Sequence, residues 1–421
     1  MTRRSRLWNR LGATQPMFRI WNSRGVGLND HEVKSIKISR GSAEPEDGIH
    51  TQTMEFETTA FDPVRAGEPI VVDLTTYGTQ RLQALCGARE HIVKPRFSGR
   101  IGKQTVNDVQ AGNQHTTFSC ASWEAQLNNI DAAKHYTAGE SVSAWIMRLG
   151  NGHGVGMPVL PDWTAPAPAS HYGHVRVSSE QPVTFKDEFD KWTKDIGLYI
   201  QTRRDGTNHI LSHQYRWDRA LANLDGIYYP ITRSQAISPA TWEQPAENIA
   251  MNHRVDWWGP DGATYQRWGP DPDNINYAYE NYDLTHVRWW TNDQQPVNTG
   301  KTYYNRNVLV QYRLPSLTFD ILRLLNSPYV SHRDQARQLL ELEPGDPVYL
   351  SGDWYGQLQG VSFAVGIDES ITADGWDITL NLADSREVVG EVSPVVPART
   401  WESASYRWES PPSTNLAWNQ S

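Results

Sequence analysis

Gly67-Glu68-Pro69-Ile70-Val71-Val72 returns 278 positions later as Gly345-Asp346-Pro347-Val348-Tyr349-Leu350. A glycine-bearing strand follows each copy: Phe97-Ser98-Gly99-Arg100-Ile101 after the first, Leu358-Gln359-Gly360-Val361-Ser362-Phe363 after the second. Each copy then ends in an alternating strand, Thr116-Thr117-Phe118-Ser119-Cys120-Ala121 and Trp376-Asp377-Ile378-Thr379-Leu380-Asn381-Leu382. Gly99 to Phe118 spans 19 residues and Gly360 to Ile378 spans 18, which pairs those residues between the copies. Two related small β-domains are expected, either a plain duplication or a pseudo-symmetric building block.

Working outward from the first copy, Val33 to Arg40 and Thr53 to Thr59 alternate apolar and polar residues, the period of a half-buried strand. Between them Arg40-Gly41 and Asp47-Gly48 supply turn residues. With strands near 70–76, 97–101 and 116–121 these form a small antiparallel barrel or sandwich over 31–125, preceded by an N-terminal arm over 1–30.

Next comes a mixed α+β domain over 126–235. Val142, Trp145, Ile146 and Leu149 form a helical stripe that stops in the cluster Gly150 to Gly156. A second helix is capped by Thr184, with Asp187 three residues on and Phe189, Trp192 and Ile196 on one face. Leu198 to Leu211 reads as a hairpin around Asp205-Gly206.

The second barrel is expected over 236–392, opened by a strand near Ile249 to Trp258 and carrying helices within 317–341. One helix is read over Thr318 to Leu325, and another is capped by Ser331. An aromatic-rich insertion over 259–312 is read as loop-rich; 12 of the 36 Trp and Tyr residues fall in 252–312. The polar tail over 393–421 is too poor in apolar residues to fold alone and is read as an extended C-terminal arm.

Composition narrows the function classes. The net charge of −9 argues against nucleic-acid recognition, and no stretch is apolar for the ~18 residues a membrane span needs. The basic start, with Arg3, Arg4, Arg6 and Arg10, lacks the apolar run of a signal peptide. Cys86 and Cys120 are too few for a disulfide framework and are read as reduced, structural thiols. Trp and Tyr number 18 each against 9 Phe, a bias that suits interfaces more than dry cores.

Catalytic chemistry finds no specific support. The Gly150–Gly156 cluster follows a helix, whereas a phosphate loop precedes one. His209 and His213 fall on a strand, where four residues separate them by roughly 13 Å, so no metal site is read there or at His171 and His174. The pairs Asp187/Glu188, Asp271/Asp273 and Asp368/Glu369 are neighbours in sequence, unlike the facing carboxylates of a glycosidase. No nucleophile elbow, zinc-protease motif or Cys–His pair is present. The expectation is a non-enzyme without cofactor or metal. Trp257, Trp258, Trp289 and Trp290 are the candidate aromatic contact surface, for protein first and sugar second.

In their order, these segments resemble the tail-tip hub proteins of siphophages that infect actinobacteria, a minor tail protein family related to the hubs of contractile tails. The resemblance rests on Val33 to Gly41, Asp47-Gly48-Ile49, Thr53 to Thr59, Phe61-Asp62-Pro63 and Phe97 to Ile101. Tyr199 to Leu211, Leu342 to Leu350 and Trp376 to Leu382 complete it, and 259–312 departs from the pattern. It implies a mainly β virion protein with α+β parts: two tube-type β-barrels separated by a mixed domain, with extended terminal arms. It further implies a homotrimeric baseplate hub at the tail tip, assembled in the host cytoplasm, whose six barrels match a six-fold distal tail or tube ring. The tape-measure C-terminus and more distal tip proteins would be its other partners. Gly67, Pro69, Gly99, Gly345, Pro347, Gly360 and Trp376 are then interface candidates, with Arg3, Arg4, Arg6, Trp401 and Trp408 on docking arms. The rival expectation is a carbohydrate-binding tip protein that uses the aromatic insertion for host recognition.

Overall fold

A computed structural model describes residues 18–22, 33–42, 48–58, 66–74, 80, 82–84, 95–107, 115–129, 159–160, 174–175, 184–206, 208–212, 229–238, 252–259, 261–268, 279–284, 287–289, 294–307, 314–351, 360–372 and 375–384. The helical stripe at 142–149, the glycine cluster after it, Cys86, His171, His213, Trp290 and both terminal arm motifs lie outside the described residues.

The chain opens with β1 (Phe18–Asn22), β2 (Val33–Gly41), β3 (Gly48–His50), β4 (Thr53–Thr58), β5 (Pro69–Leu74), β6 (Phe97–Asn107) and β7 (His115–Ala121). A middle unit follows with β8 (Val159–Leu160), β9 (His174–Val175), α1 (Phe185–Ile196), β10 (Leu198–Thr202) and β11 (Asn208–Ser212). Next are β12 (Tyr229–Thr232), β13 (Asn252–Gly259), β14 (Gly262–Trp268), β15 (Tyr279–Leu284), β16 (Val287–Trp289) and α2 (Gln294–Asn307). The last group is β17 (Ser316–Asp320), α3 (Ile321–Leu325), α4 (Val330–Glu341), β18 (Pro347–Ser351), β19 (Gly360–Thr372) and β20 (Trp376–Asp384).

Eleven of these strands share one sheet, in the order β1-β5-β6-β7-β4-β2-β19-β18-β12, with β20 on the other side of β19 and β17 beyond it. It contains two strand sets of like order: β1-β5-β6-β7-β4 and β12-β18-β19-β20-β17. They differ at one end, since β1 runs antiparallel to β5 while β12 runs parallel to β18. The sheet curls far enough that Phe18 of edge strand β1 meets Trp376 of β20 edge-on, ring centroids 5.1 Å apart. Alternation follows from side-chain period two: Ile36, Ile38, Met54, Phe56, Ile70, Val72, Phe118 and Cys120 all point into the core. The same holds for Leu317, Phe319, Val348, Leu350, Ile367, Ile378 and Leu380, so both sets bury one continuous apolar cluster. At its centre Phe56 and Phe118 stack at 4.6 Å.

The structure corrects several expectations. Phe18–Asn22, inside the stretch read as an arm, is a core strand, with Phe18, Ile20 and Asn22 buried along one face. Thr318 to Leu325 is not one helix. Leu317 and Phe319 keep the strand period, and the backbone switches at Asp320, whose side chain accepts from Arg323 N–H at 2.9 Å to cap α3. Helix α4 begins at Val330, with Tyr329 as an N-cap that makes no side-chain bond, not with Ser331. The 259–312 stretch holds strands and a 14-residue helix instead of loops. The strand expected to open the second barrel is β13, and it belongs to a separate three-stranded sheet with β14 and β15.

The middle unit matches its reading more closely. Thr184 Oγ1 accepts from Asp187 N–H at 3.2 Å and caps α1. Strands β10 and β11 form the hairpin, turned by Gly206 at φ 84°. Strand β3 pairs in parallel with β10, which ties the first strand set to this unit.

Candidate assembly surface

The repeated Gly-acid-Pro pattern is the same turn twice. Gly67 adopts φ 85° and Gly345 φ 84°, the left-handed region open to glycine. Gly67 N–H donates to Ile101 O at 2.6 Å, and Ile101 N–H donates back to Glu68 O at 3.0 Å. In the second copy Gly345 N–H donates to Ala364 O at 2.6 Å, and Ala364 N–H to Asp346 O at 3.0 Å. Pro69 and Pro347 then open β5 and β18, the position where a missing N–H is tolerated. The acids differ in task. Glu68 accepts from Asn22 Nδ2 of β1 at 3.3 Å, whereas Asp346 accepts from Glu343 N–H at 2.9 Å.

Register revises the sequence pairing of the copies. Ile70 faces Gly99 and Val348 faces Ser362, so Gly99 corresponds to Ser362, not Gly360. Likewise Ile101 and Ala364, matched by the turn hydrogen bonds, face Cys120 and Leu382, so Phe118 corresponds to Leu380, not Ile378. A slip of two residues keeps every side chain on its face, so alternation alone cannot detect it. Both long strands carry a register shift at the matching place, after Ile101 and after Ala364.

Strand β2 joins the copies. One edge pairs with β4, and the other pairs with the distal half of β19, from Gly41 opposite Gly366 to Ser35 opposite Thr372. A Cβ on Gly41 would lie 2.2 Å from Val365 O, and one on Gly366 would lie 2.1 Å from Ser42 O. The backbones meet too closely there for any side chain.

Beneath this seam lies a buried charge cluster. Arg40 donates through Nη2 to Glu369 Oε1 and through Nη1 to Glu343 Oε2, each at 2.8 Å. Arg96 donates through Nη2 to Glu369 at 2.5 Å and through Nη1 to Leu340 O at 2.9 Å. Arg204, from the β10–β11 turn, donates to Glu343 Oε1 and, at 2.6 Å, to Leu342 O. Three guanidiniums and two glutamates are thus clustered, with Asp346 adding a third carboxylate beside Arg204. Burial opposes ionisation of Glu369, but the adjacent Arg96 and Arg40 outweigh it and hold the carboxyl down at about 2. Burial brings Arg96 down to about 10, against the pull of Glu369. Such a cluster costs desolvation, and its geometry specifies how both strand sets and the middle unit meet.

The opposite face of the sheet is polar. Lys37, Thr53, Glu55, Lys103, Asp368 and Thr379 line an open depression of 590 Å³ that spans the seam.

Several candidate contact residues sit elsewhere than expected. Trp376 is buried against Phe18 and does not offer a surface. Gly99 packs under Ala121 O, where a Cβ would come within 2.4 Å. Gly360 pairs with Leu350 at the start of β19. Trp257 is in the core while Trp258 is 39% exposed, because consecutive strand residues point to opposite faces. Trp289 lies in β16, opposite His174 of β9. Sequence reasoning missed Tyr265, which shares the outer face of the β13–β14 hairpin with Trp258, beneath the Arg254 guanidinium at 4.6 Å. Among the described residues no group of three His, Cys, Asp or Glu gathers as a metal site, and no helix is long and apolar enough to cross a membrane.

The chain is similar to the 43 kDa tail protein of prophage MuSo2 from Shewanella oneidensis, with TM-score 0.57 and 12% identity over 89% of this chain and 100% of that one. It is similar to the same degree, TM-score 0.57 and 13% identity, to the tail protein from Neisseria meningitidis MC58, over 87% of this chain and 95% of that one. Both are described as tail proteins and neither as an enzyme. No protein-family model matches the chain, and no curated protein matches it. At these identities the likeness establishes the fold: this is the mainly β fold of phage tail proteins, the class the sequence motifs resembled.

Proposed function

We propose that the chain is a structural protein of the phage virion, the trimeric hub of a siphophage tail tip. The observation that carries this reading is internal: one chain holds two strand sets with the same order and the same Gly-acid-Pro turn, fused through β2 and β19. Three such chains present six near-equivalent units, which suits a six-fold tail-tube or distal tail ring on one side and three-fold tip proteins on the other. The polar sheet face spanning the seam suits the wall of a channel closed or surrounded near the tape-measure C-terminus. The tail-protein fold supports the same reading. Sedimentation of the purified chain, alone and with the tube-ring protein of its particle, tests it. The expected species is a three-copy assembly of the 47.8 kDa chain, alone or templated on the ring. A chain that stays monomeric at high concentration and ignores the ring would sink the hub.

The carbohydrate-binding alternative keeps one specific observation. Trp258 and Tyr265 lie exposed on one hairpin face, a platform of the kind that stacks on sugar rings.

A further inference from the structure

The two strand sets differ in what leads into the Gly-acid-Pro turn. Ten residues separate Thr58 of β4 from Pro69 of β5, whereas 26 separate Asp320 of β17 from Pro347 of β18. The longer connection holds α3 and α4. Ten residues are too few for a like pair, since α4 alone has 12. At this position the helix pair therefore occurs once per chain, not once per strand set. Helix α4 is held at its C-terminal end beneath the seam, where Leu340 O accepts from Arg96 Nη1 at 2.9 Å and Leu342 O from Arg204 Nη2 at 2.6 Å. Its other end lies about 18 Å away, at 1.5 Å per residue. That end adjoins α3, whose Arg323 donates through Nη2 to Gln235 O at 2.6 Å. Two residues on, Ile237 N–H donates to Thr318 O at 2.8 Å, on the outer edge of β17. Strands β19 and β20 separate β17 from β2. So α4 runs from the seam to the side of the second set turned away from the first set of its own chain.

Apolar side chains stand out on that side. Tyr329 is 64% exposed, Val330 62% and Ile237 46%, three of the six exposed large apolar side chains among the described residues. The backbone of the tip is fixed by its own hydrogen bonds. Asn326 N–H donates to Leu322 O at 3.1 Å, Ser327 N–H to Leu324 O at 3.2 Å and Tyr329 N–H to Ser327 Oγ at 3.3 Å. The Tyr329 ring lies 5.2 Å from that of His332. A tip ordered in advance loses little freedom on docking, and apolar groups gathered in the open mark contact sites. The charges beside it are Arg323, Arg333 and the Asp334–Arg337 pair at 3.3 Å, a basic margin on a chain of net charge −9.

We infer that the Tyr329–Val330 tip of α4, with Ile237 on the same side, docks on a second copy of this chain. A six-fold ring meets features that three chains repeat six times, whereas this tip occurs three times among them. In a closed ring of alternating strand sets, the side of the second set turned away from its own first set faces the first set of the next chain. The contact is heterologous, and such contacts close into a ring when the rotation permits. The basic margin complements the acidic balance of the copy it meets. The inference rests on the trimeric hub proposed above and supplies its chain-to-chain contact.

Tyr329 is the N-cap of α4 without a side-chain bond, and Val330 is its first residue. Serine caps better than tyrosine and an acid suits a helix N-terminus, so Tyr329→Ser combined with Val330→Asp leaves the folded chain at least as stable. In sedimentation, alone or with the tube-ring protein, this double variant is expected to need about tenfold or more protein for half-assembly. Tyr265→Ser, on the β13–β14 hairpin, is the control and is expected to change nothing. A photo-crosslinking residue at position 329 is expected to join two copies of the chain. A double variant that assembles like the wild type overturns this inference while the hub stands. Adducts from position 329 to the ring or to a tip protein, and none to a second copy, also overturn it and assign the tip to that partner. A wild-type chain that never assembles, with or without the ring, overturns both.

Discussion

Arg40 and Glu369 lie 329 residues apart in sequence and 2.8 Å apart in space, both fully withdrawn from solvent. Their strands are adjacent in the sheet, so this pair marks where the first strand set ends and the second begins. Removing one partner from such a pair leaves an uncompensated buried charge, which typically costs about 3–5 kcal/mol. The cluster is therefore the feature through which the joint can be tested.

Acid should loosen the joint before it loosens either strand set. The Glu369 carboxyl stands at about 2 in the folded chain against 4.5 ordinarily, and Glu343 is held low as well. A depressed carboxylate stabilises above its unfolded value and loses that contribution as pH falls through the folded value. Between pH 4.5 and 2 the loss from Glu369 is roughly 3 kcal/mol. Glu369→Gln is expected to be less stable at pH 7 yet flatter across that window. Urea unfolding at several pH values, followed by tryptophan fluorescence, measures both.

Glu124 predicts the opposite slope at higher pH. It is buried in the 3₁₀ turn Trp123–Asn129, and burial pushes its carboxyl up to about 7, with Ser122 offsetting a little. A raised carboxyl favours the folded state most at low pH, so stability declines as pH rises from 4.5 through 7. The decline amounts to at most roughly 3 kcal/mol. In Glu124→Gln it should vanish, giving a variant more stable than the parent at pH 8. Thermal melts at pH 5 and pH 8 read the difference, and identical pH slopes would count against it.

Glycines at the two turns and at the seam should differ in cost. Gly67→Ala meets no atom within 4 Å and suffers only its positive φ, an expected cost of about 1 kcal/mol. Gly41→Ala adds a Cβ lying 2.2 Å from Val365 O, so its backbone must part from β19, at about 3 kcal/mol or more. Equilibrium denaturation ranks them, and equal costs would refute the close approach at the seam.

Trp257 and Trp258 should separate stability from binding. Trp257→Ala empties a core site and should cost about 3–5 kcal/mol. Trp258→Ala should cost under about 1 kcal/mol, as surface changes do. If the hairpin binds cell-wall glycan, Trp258→Ala and Tyr265→Ala abolish a glycan pull-down at unchanged stability. A pull-down that survives both removes the carbohydrate reading.

Much of the fold was legible because strands write themselves locally. Val33 to Arg40, Thr53 to Thr58 and Trp376 to Leu382 alternate at period two, and the paired Gly-acid-Pro turns announced a duplication. Phe18–Asn22 also alternates, but it is five residues in a basic, irregular stretch, too short a window to separate from an arm. Leu317 to Leu325 mixed two periods, and only the Asp320 cap places the switch. The inward turn of Trp257 was readable in principle, since neighbours on a strand cannot share a face.

By itself, then, the sequence determined the alternating strands at Val33 to Arg40, Thr53 to Thr58 and Trp376 to Leu382, their faces and the two turns, because these depend on φ, ψ and burial over a few residues. Tertiary structure alone decided three things: the two-residue register between copies, the fusion through β2 and β19, and the Arg40–Glu369 joint beneath it. Register slips of two preserve every face, and ion pairs across 329 residues leave no periodic trace.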